Sequence, residues 1–280
     1  MKLKGFRLDT FSRRFWSTLA AWILLAAPVF GETLTIPGTG ACEPVLAELA
    51  AAFNRGNPED QVTVPPSTGS GGGISSVLNE EASLARVARR LKTEEERQGL
   101  VSIVFARDAV AFVVGRQVKV SNLSASQLEA IFSGKIDNWK DVGGQEGKIR
   151  VITREPGDSS LIVIQEHLKG FRNIVFAPNA KVILFDRAAV ETLDKYKNAI
   201  GFITTSSAKW SKGGIRPISL DGVAPARENV LSRKYRLTEE YALIYKKNLK
   251  PADRKFIDFV FSGEGRKVIE GNGLIALDRR

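Results

Sequence analysis

The run Arg154-Glu155-Pro156-Gly157-Asp158-Ser159-Ser160 sets one fixed cation, a Pro-Gly turn and two hydroxyls directly ahead of an apolar-periodic segment. Those residue types suit capture of an anion. Arginine offers a forked pair of N–H donors, the turn leaves space, and the first backbone N–H groups of a helix have no partner inside it. Asp158 is the odd member, a negative charge inside a positive cradle. Leu161, Ile164 and Leu168 recur at spacings of three and four, which predicts a helix with one buried face behind the loop. The competing reading is an ordinary helix capped by Asp or Ser, with no ligand at all.

Two more loops open helices in a similar way. Gly38-Thr39-Gly40-Ala41-Cys42 precedes Pro44, Val45, Leu46, Leu49 and Phe53, an apolar stripe with proline close to its first turn. Ser67-Thr68-Gly69-Ser70-Gly71-Gly72-Gly73 precedes Ile74, Val77 and Leu78, and its glycines let backbone amides approach a ligand. Glycine-rich turns also serve as plain connectors, and none of the three ends in the Gly-Lys-Ser/Thr of a P-loop.

The first residues address where such a protein works. Lys2, Lys4, Arg7, Arg13 and Arg14 precede an uncharged apolar run from Leu19 to Phe30, the pattern of a secretory signal peptide over residues 1–31. The run is short for a bilayer span, and cleavage after Gly31 is expected; an uncleaved anchor is the alternative. Removal takes away those five basic residues and Asp9, so the formal charge falls from +10 to +6. A moderately basic exported chain suits an anionic ligand. Nucleic acid is disfavoured by export and by the lack of a dense Lys/Arg block with interleaved aromatics.

Cys42 is the only cysteine, so no intrachain disulfide forms and stability rests on the core that about 250 residues can bury. A lipoprotein reading of Ala41-Cys42 is disfavoured, because Thr39 stands where such signals prefer an aliphatic residue and the apolar run lies far upstream. No Cys/His cluster suggests a metal, and no cofactor is implied. The sole histidine, His167, reads as a surface residue. With no Ser-His or Cys-His pair and no paired-carboxylate motif, enzymatic activity is not expected.

Strands and helices alternate along the chain, which predicts α/β architecture. Thr33 to Ile36 and Gln61 to Val64 read as short strands leading into the first two loops. Residues 80–98 read mostly as a solvated charged helix face, although the strand-like Leu84-Ala85-Arg86-Val87-Ala88 could carry Arg86 or Arg89 toward a cleft. Residues 101–105 and 109–114 read as two buried strands split by Arg107-Asp108 and crossing between lobes. Ser124 to Gln127 is a capping box. Strands are also expected over residues 149–152, 199–203, 216–220 and 241–245, before a C-terminal helix that buries Phe256, Phe259 and Val260 and stops near Ser262-Gly263.

In this order, the loop at residues 38–42, Ser70-Gly71-Gly72-Gly73-Ile74, residues 131–139 (IFSGKIDNW), residues 154–160, Ala199-Ile200-Gly201-Phe202 and residues 259–265 (FVFSGEG) make the chain resemble a known family. It is similar to the phosphate-binding proteins of ABC importers, within the type II periplasmic solute-binding proteins, over nearly all of the exported sequence. The resemblance implies an α/β fold of two lobes joined by a two-strand hinge. Residues 32–107 plus 232–280 would form lobe I and residues 108–231 lobe II, with the ligand in the cleft between them. Capture of inorganic phosphate outside the cytoplasm, as a monomer, for delivery to a membrane permease is the implied activity. The alternative is a module that senses an oxyanion or binds a protein without transport.

By this resemblance Ala41 and Cys42 stand where the family presents a backbone N–H and often a hydroxyl, and Ser70 matches the serine before the glycine run, with Gly71 following it. Arg154 matches the ligand arginine, and Asp158, Ser159 and Ser160 stand where Ser, Gly and Thr are usual. Arg86 and Arg89 are possible additional ligands. Some phosphate binders carry an aspartate after the charged strand to accept the ligand's proton, but Arg86-Val87-Ala88-Arg89-Arg90 has no carboxylate. Asp158 is therefore the candidate acceptor, favouring phosphate over proton-free sulfate; a simple cap paired to an arginine is the alternative.

Overall fold

Strands and helices do alternate in the computed structural model, which describes residues 33–279. The predicted leader lies outside those residues. The first half runs β1 (Thr33–Thr35), α1 (Glu43–Gly56), β2 (Gln61–Thr63), α2 (Gly69–Leu78), β3 (Leu84–Val87), α3 (Thr93–Arg97), β4 (Leu100–Gly115), β5 (Asn122–Leu123) and α4 (Ala125–Phe132). The second runs β6 (Arg150–Arg154), α5 (Ser159–His167), β7 (Lys181–Ile183), α6 (Asp186–Lys195), β8 (Ala199–Thr204), α7 (Thr205–Ala208), β9 (Ile215–Pro217), β10 (Ser219–Leu220), α8 (Arg227–Leu231), β11 (Thr238–Lys246), α9 (Pro251–Val260), α10 (Gly263–Gly271) and β12 (Ile275–Ala276).

The main sheet has the order β3-β11-β4-β8-β6-β7, and β9 and β12 also pair with β4. Its backbone is set by β4 and β11, which run antiparallel from Leu100↔Lys246 to Ala109↔Thr238. Both strands pass from one apolar core to another. The first core gathers Leu34, Leu46, Phe53, Phe105, Ala106, Tyr241 and Phe256, whereas the second gathers Ala109, Phe112, Phe132, Phe171, Phe202 and Leu237. The changeover falls between Ala106 and Ala109 on β4, and between Leu237, just before β11, and Tyr241 on it.

Amphipathic spacing explains the helices that matter for the loops. Val45, Leu46, Leu49 and Phe53 are buried on α1, Ile74 and Val77 on α2, and Leu161 and Ile164 on α5. Each helix packs its stripe inward and leaves its first turn at the end of a strand-derived loop.

Local structure departs from the sequence pattern in four places. The two runs around Arg107-Asp108 are one continuous strand of 16 residues. Their charges are tolerated because Arg107 pairs with Glu240 at 2.6 Å, while Asp108 accepts hydrogen bonds from Thr205, Ser206 and Tyr241. The stretch 216–220 is divided between β9 and β10, which pair with β4 and β5 respectively. The charged segment 80–98 holds only a five-residue helix. Beyond Ser262 a further helix, α10, begins with that serine as its cap.

Candidate functional site

One wall of the site is built from the ends of β1 and β2. Gly38 has φ +138°, and a β-carbon there would collide with the Arg86 carbonyl, so only glycine lets the loop lie against β3. Arg86 locks that arrangement. Its guanidinium donates to the carbonyls of Thr39 at 2.8 Å, Pro65 at 2.7 Å and Ile36, and pairs with Glu43 at 3.2 Å. The Thr68 N–H then donates to the Gly38 carbonyl at 2.9 Å, which joins the Gly38 loop to the Ser67 loop. Ser70, in the first turn of α2, accepts from the Ala88 N–H at 3.3 Å.

The facing wall begins where β6 delivers Arg154. Gly157, at φ +94°, turns the chain so that Asp158 caps α5, accepting from the Leu161 N–H at 3.0 Å. The Arg154 guanidinium, 3% exposed, reaches Asp158 at 2.8 Å and Asp186 at 2.7 Å, and also donates to the Leu184 carbonyl at 3.1 Å. Its Nε has no partner. Ser160 points the other way and donates to Glu239 at 2.5 Å.

Asp186, Asp158 and Glu239 all act on the charge of this one arginine. Burial pushes Asp158 up to about 6; Arg154 opposes the rise and Asp186 adds to it. Glu239, fully buried on β11 with Oε2 unpartnered, is raised well above the carboxylate range by burial, against the Ser160 bond and with help from Asp158 and Asp186. For Arg154, burial works against the charge, but Asp186 and Asp158 overcome it and raise its pKa. Arg154 and Asp158 therefore both hold protons tightly. For Asp158, a guanidinium shared with a second carboxylate does not offset the loss of water.

Between the walls lies a cleft of about 730 Å³. Thr39, Gly40, Ser67 and Ser70 line one side and Arg154, Asp158, Ser159 and Asp186 the other. The walls are close: Asp186 Oδ2 is 3.8 Å from the place a β-carbon on Gly40 would occupy. Glu43, Glu155 and Arg187 complete its charged rim, and Phe185 and Trp210 its apolar part.

Of the residues singled out in sequence, Ser70, Arg154, Asp158 and Ser159 meet in this cleft. Ser160 is buried behind it on Glu239. Ala41 and Cys42 do not line it; the two residues before them, Thr39 and Gly40, do. The Ala41 N–H is turned to Thr39 Oγ1 at 3.3 Å, and the Cys42 thiol lies in the first core, where burial pushes it up to about 12. Gly71 is exposed and outside the lining. Arg86 is wholly engaged with the loops, and Arg89 forms a forked pair with Glu95 at 2.9 and 2.8 Å beside a neighbouring cavity.

Asp186 and Glu239 had no sequence signal strong enough to single them out. Asp186 opens α6 ahead of the buried Ala189, Val190 and Leu193, a pattern that marks a helix start. Glu239 sits among alternating residues of a strand, where nothing local marks burial.

Residues 27–264 match the model of the PBP superfamily domain. The chain is 30% identical over 255 residues to the phosphate-binding protein PstS of Borreliella burgdorferi, covering 88% of this chain and 90% of that one. The chain belongs to the phosphate-binding-protein family of the PBP superfamily. PstS of Bacillus subtilis is 27% identical, with 85% and 78% coverage. Among solved structures, a phosphate ABC transporter substrate-binding protein from Clostridium perfringens with bound phosphate superposes with a TM-score of 0.81 at 29% identity, covering 88% of this chain and all of that one. An ABC-type phosphate transport receptor from Vibrio cholerae gives 0.71 at 28% identity, with 86% and 99% coverage. The fold is accordingly the two-lobe α/β type II binding-protein fold, and the family is one of transport binding components rather than enzymes. No described helix is long and apolar enough to cross a membrane.

Proposed function

We propose that this protein captures inorganic phosphate outside the cytoplasm and delivers it to an ABC importer. The observation that carries the reading is Arg154, a nearly buried guanidinium at the foot of α5 that faces the Thr39 and Ser70 wall across the cleft. Phosphate in the C. perfringens relative supports the ligand, and the leader-like pattern of residues 1–31 supports export to the periplasm or another extracytoplasmic site, where the protein works as a monomer.

In this reading residues 32–107 plus 232–280 form one lobe and residues 108–231 the other, a division supported by the changeover between the two cores. β4 and β11 act as the hinge. Closure removes water from the cleft, so each remaining donor acts in a lower dielectric and the closed form becomes the one a permease recognises. Thr39, Ser70, Ser159 and the amides of the loop starts are the neutral donors, and Arg154 is the fixed charge. A charge-assisted hydrogen bond contributes about 1.5–3 kcal/mol, so several suffice for micromolar capture, roughly 8 kcal/mol, after association costs.

Calorimetry of the purified, ligand-stripped protein against phosphate, sulfate and a larger oxyanion tests the reading. Heat from phosphate, and least from sulfate, is expected. No heat from any of the three would sink it.

A further inference from the structure

The seat for the anion already holds one. Asp158 Oδ2 pairs with Arg154 at 2.8 Å while its Oδ1 accepts the Leu161 N–H of the α5 first turn at 3.0 Å. These are the two kinds of donor an oxyanion would use there, a guanidinium fork and a helix-start amide. The other arm of the guanidinium is engaged by Asp186 at 2.7 Å. In sequence Asp158 reads as acceptor of the ligand's proton or as a simple cap; its contacts suit a third role.

We propose that Asp158 is a resident competitor for the anion, so that an oxyanion gains Arg154 and the helix start only as Asp158 takes up a proton or swings away. The inference rests on the phosphate reading above and adds a selection rule to it. A cleft that sets Asp158 and Asp186 against Arg154, with Glu43, Glu155 and Arg187 at the rim and Glu239 buried behind it on Ser160, repels a doubly charged ligand at high pH. Protonation of Asp158 removes its share of the repulsion and its competition for donors. Burial already holds this carboxyl near 6, within reach of a mild acidification. Phosphate can itself carry a proton in that range and sulfate cannot, so acidification recruits the first far more than the second.

Asp158→Ser is the informative variant, because serine also caps helices while it removes the carboxylate. Phosphate titrations by calorimetry between pH 5.5 and 8, each in two buffers of different ionisation enthalpy, give affinity and protons taken up. Differences between wild type and variant cancel the ionisation of phosphate itself. The proposal expects Asp158→Ser to bind phosphate at least about tenfold more tightly at pH 8, to lose the wild-type gain on acidification, and to take up fewer protons per phosphate. Asp158→Asn, which caps equally well, should behave alike and guards against a folding defect of the serine variant. If the wild type binds phosphate and both variants match it in affinity, slope and proton uptake, or bind more weakly, the competitor role is overturned while the phosphate reading stands. If no form binds phosphate at any pH, the phosphate reading falls and this inference with it.

Discussion

Arg86 and Arg154 are both buried arginines beside a loop that opens a helix, yet they do opposite work. Arg86 is surrounded by three carbonyl oxygens from two loops and by one half-exposed carboxylate. Carbonyls do not titrate, so that guanidinium is a permanent clamp holding the Thr39 and Ser67 loops in place. Arg154 is surrounded instead by two aspartates and a single carbonyl. Carboxylates can be protonated or turned away, so its donors can change hands. On the proposed reading the same side chain is scaffold in one setting and an exchangeable site in the other, and the partners decide which.

Removing the clamp should have the largest effect. Arg86→Ala strands two buried carbonyls and a part-buried one and is expected to lower stability by about 3–5 kcal/mol, read as the midpoint of urea unfolding. A loss below about 1 kcal/mol would contradict the clamp. Acid should sharpen the contrast next. The folded chain holds the Asp158 proton more tightly than the unfolded chain, with a pKa raised from 3.8 to about 6. That contribution, about 3 kcal/mol, is complete below pH 4 and lost as pH rises to 6, and Asp158→Asn should flatten it in pH-dependent melting. Arg154→Lys keeps the charge but loses the fork, so phosphate affinity should fall roughly tenfold to a hundredfold in calorimetry, with little change in unfolding midpoint. The smallest effect is expected at Arg89, whose partly exposed pair with Glu95 is worth at most about 1 kcal/mol; Arg89→Ala should leave phosphate affinity unchanged.

Much of the frame was legible because periodicity reports burial directly. The stripes of α1, α2 and α5, the capping box at Ser124 and the strands leading to the loops all follow from local spacing. Arg154 was legible for the same reason, since a charge between a strand and a capped helix has few places to go. What escaped was set by distant contacts. Arg86 and Arg154 look alike in sequence, and only folding shows that one meets carbonyls from Ile36, Thr39 and Pro65. Thr39 and Gly40 replaced Ala41 and Cys42 in the cleft because α1 begins with Cys42 already turned into the core. Asp186 and Glu239 come from segments far from residue 154 along the chain, and no local pattern could bring them to it.

A crystal structure of the protein grown with phosphate is the most direct test of the account. Phosphate oxygens are expected within hydrogen-bond distance of the Arg154 guanidinium and the first turn of α5, facing Thr39 and Ser70, with the Asp158–Arg154 pair broken or lengthened. Phosphate bound away from Arg154, or a loaded cleft with no contact to it, would contradict the central claim.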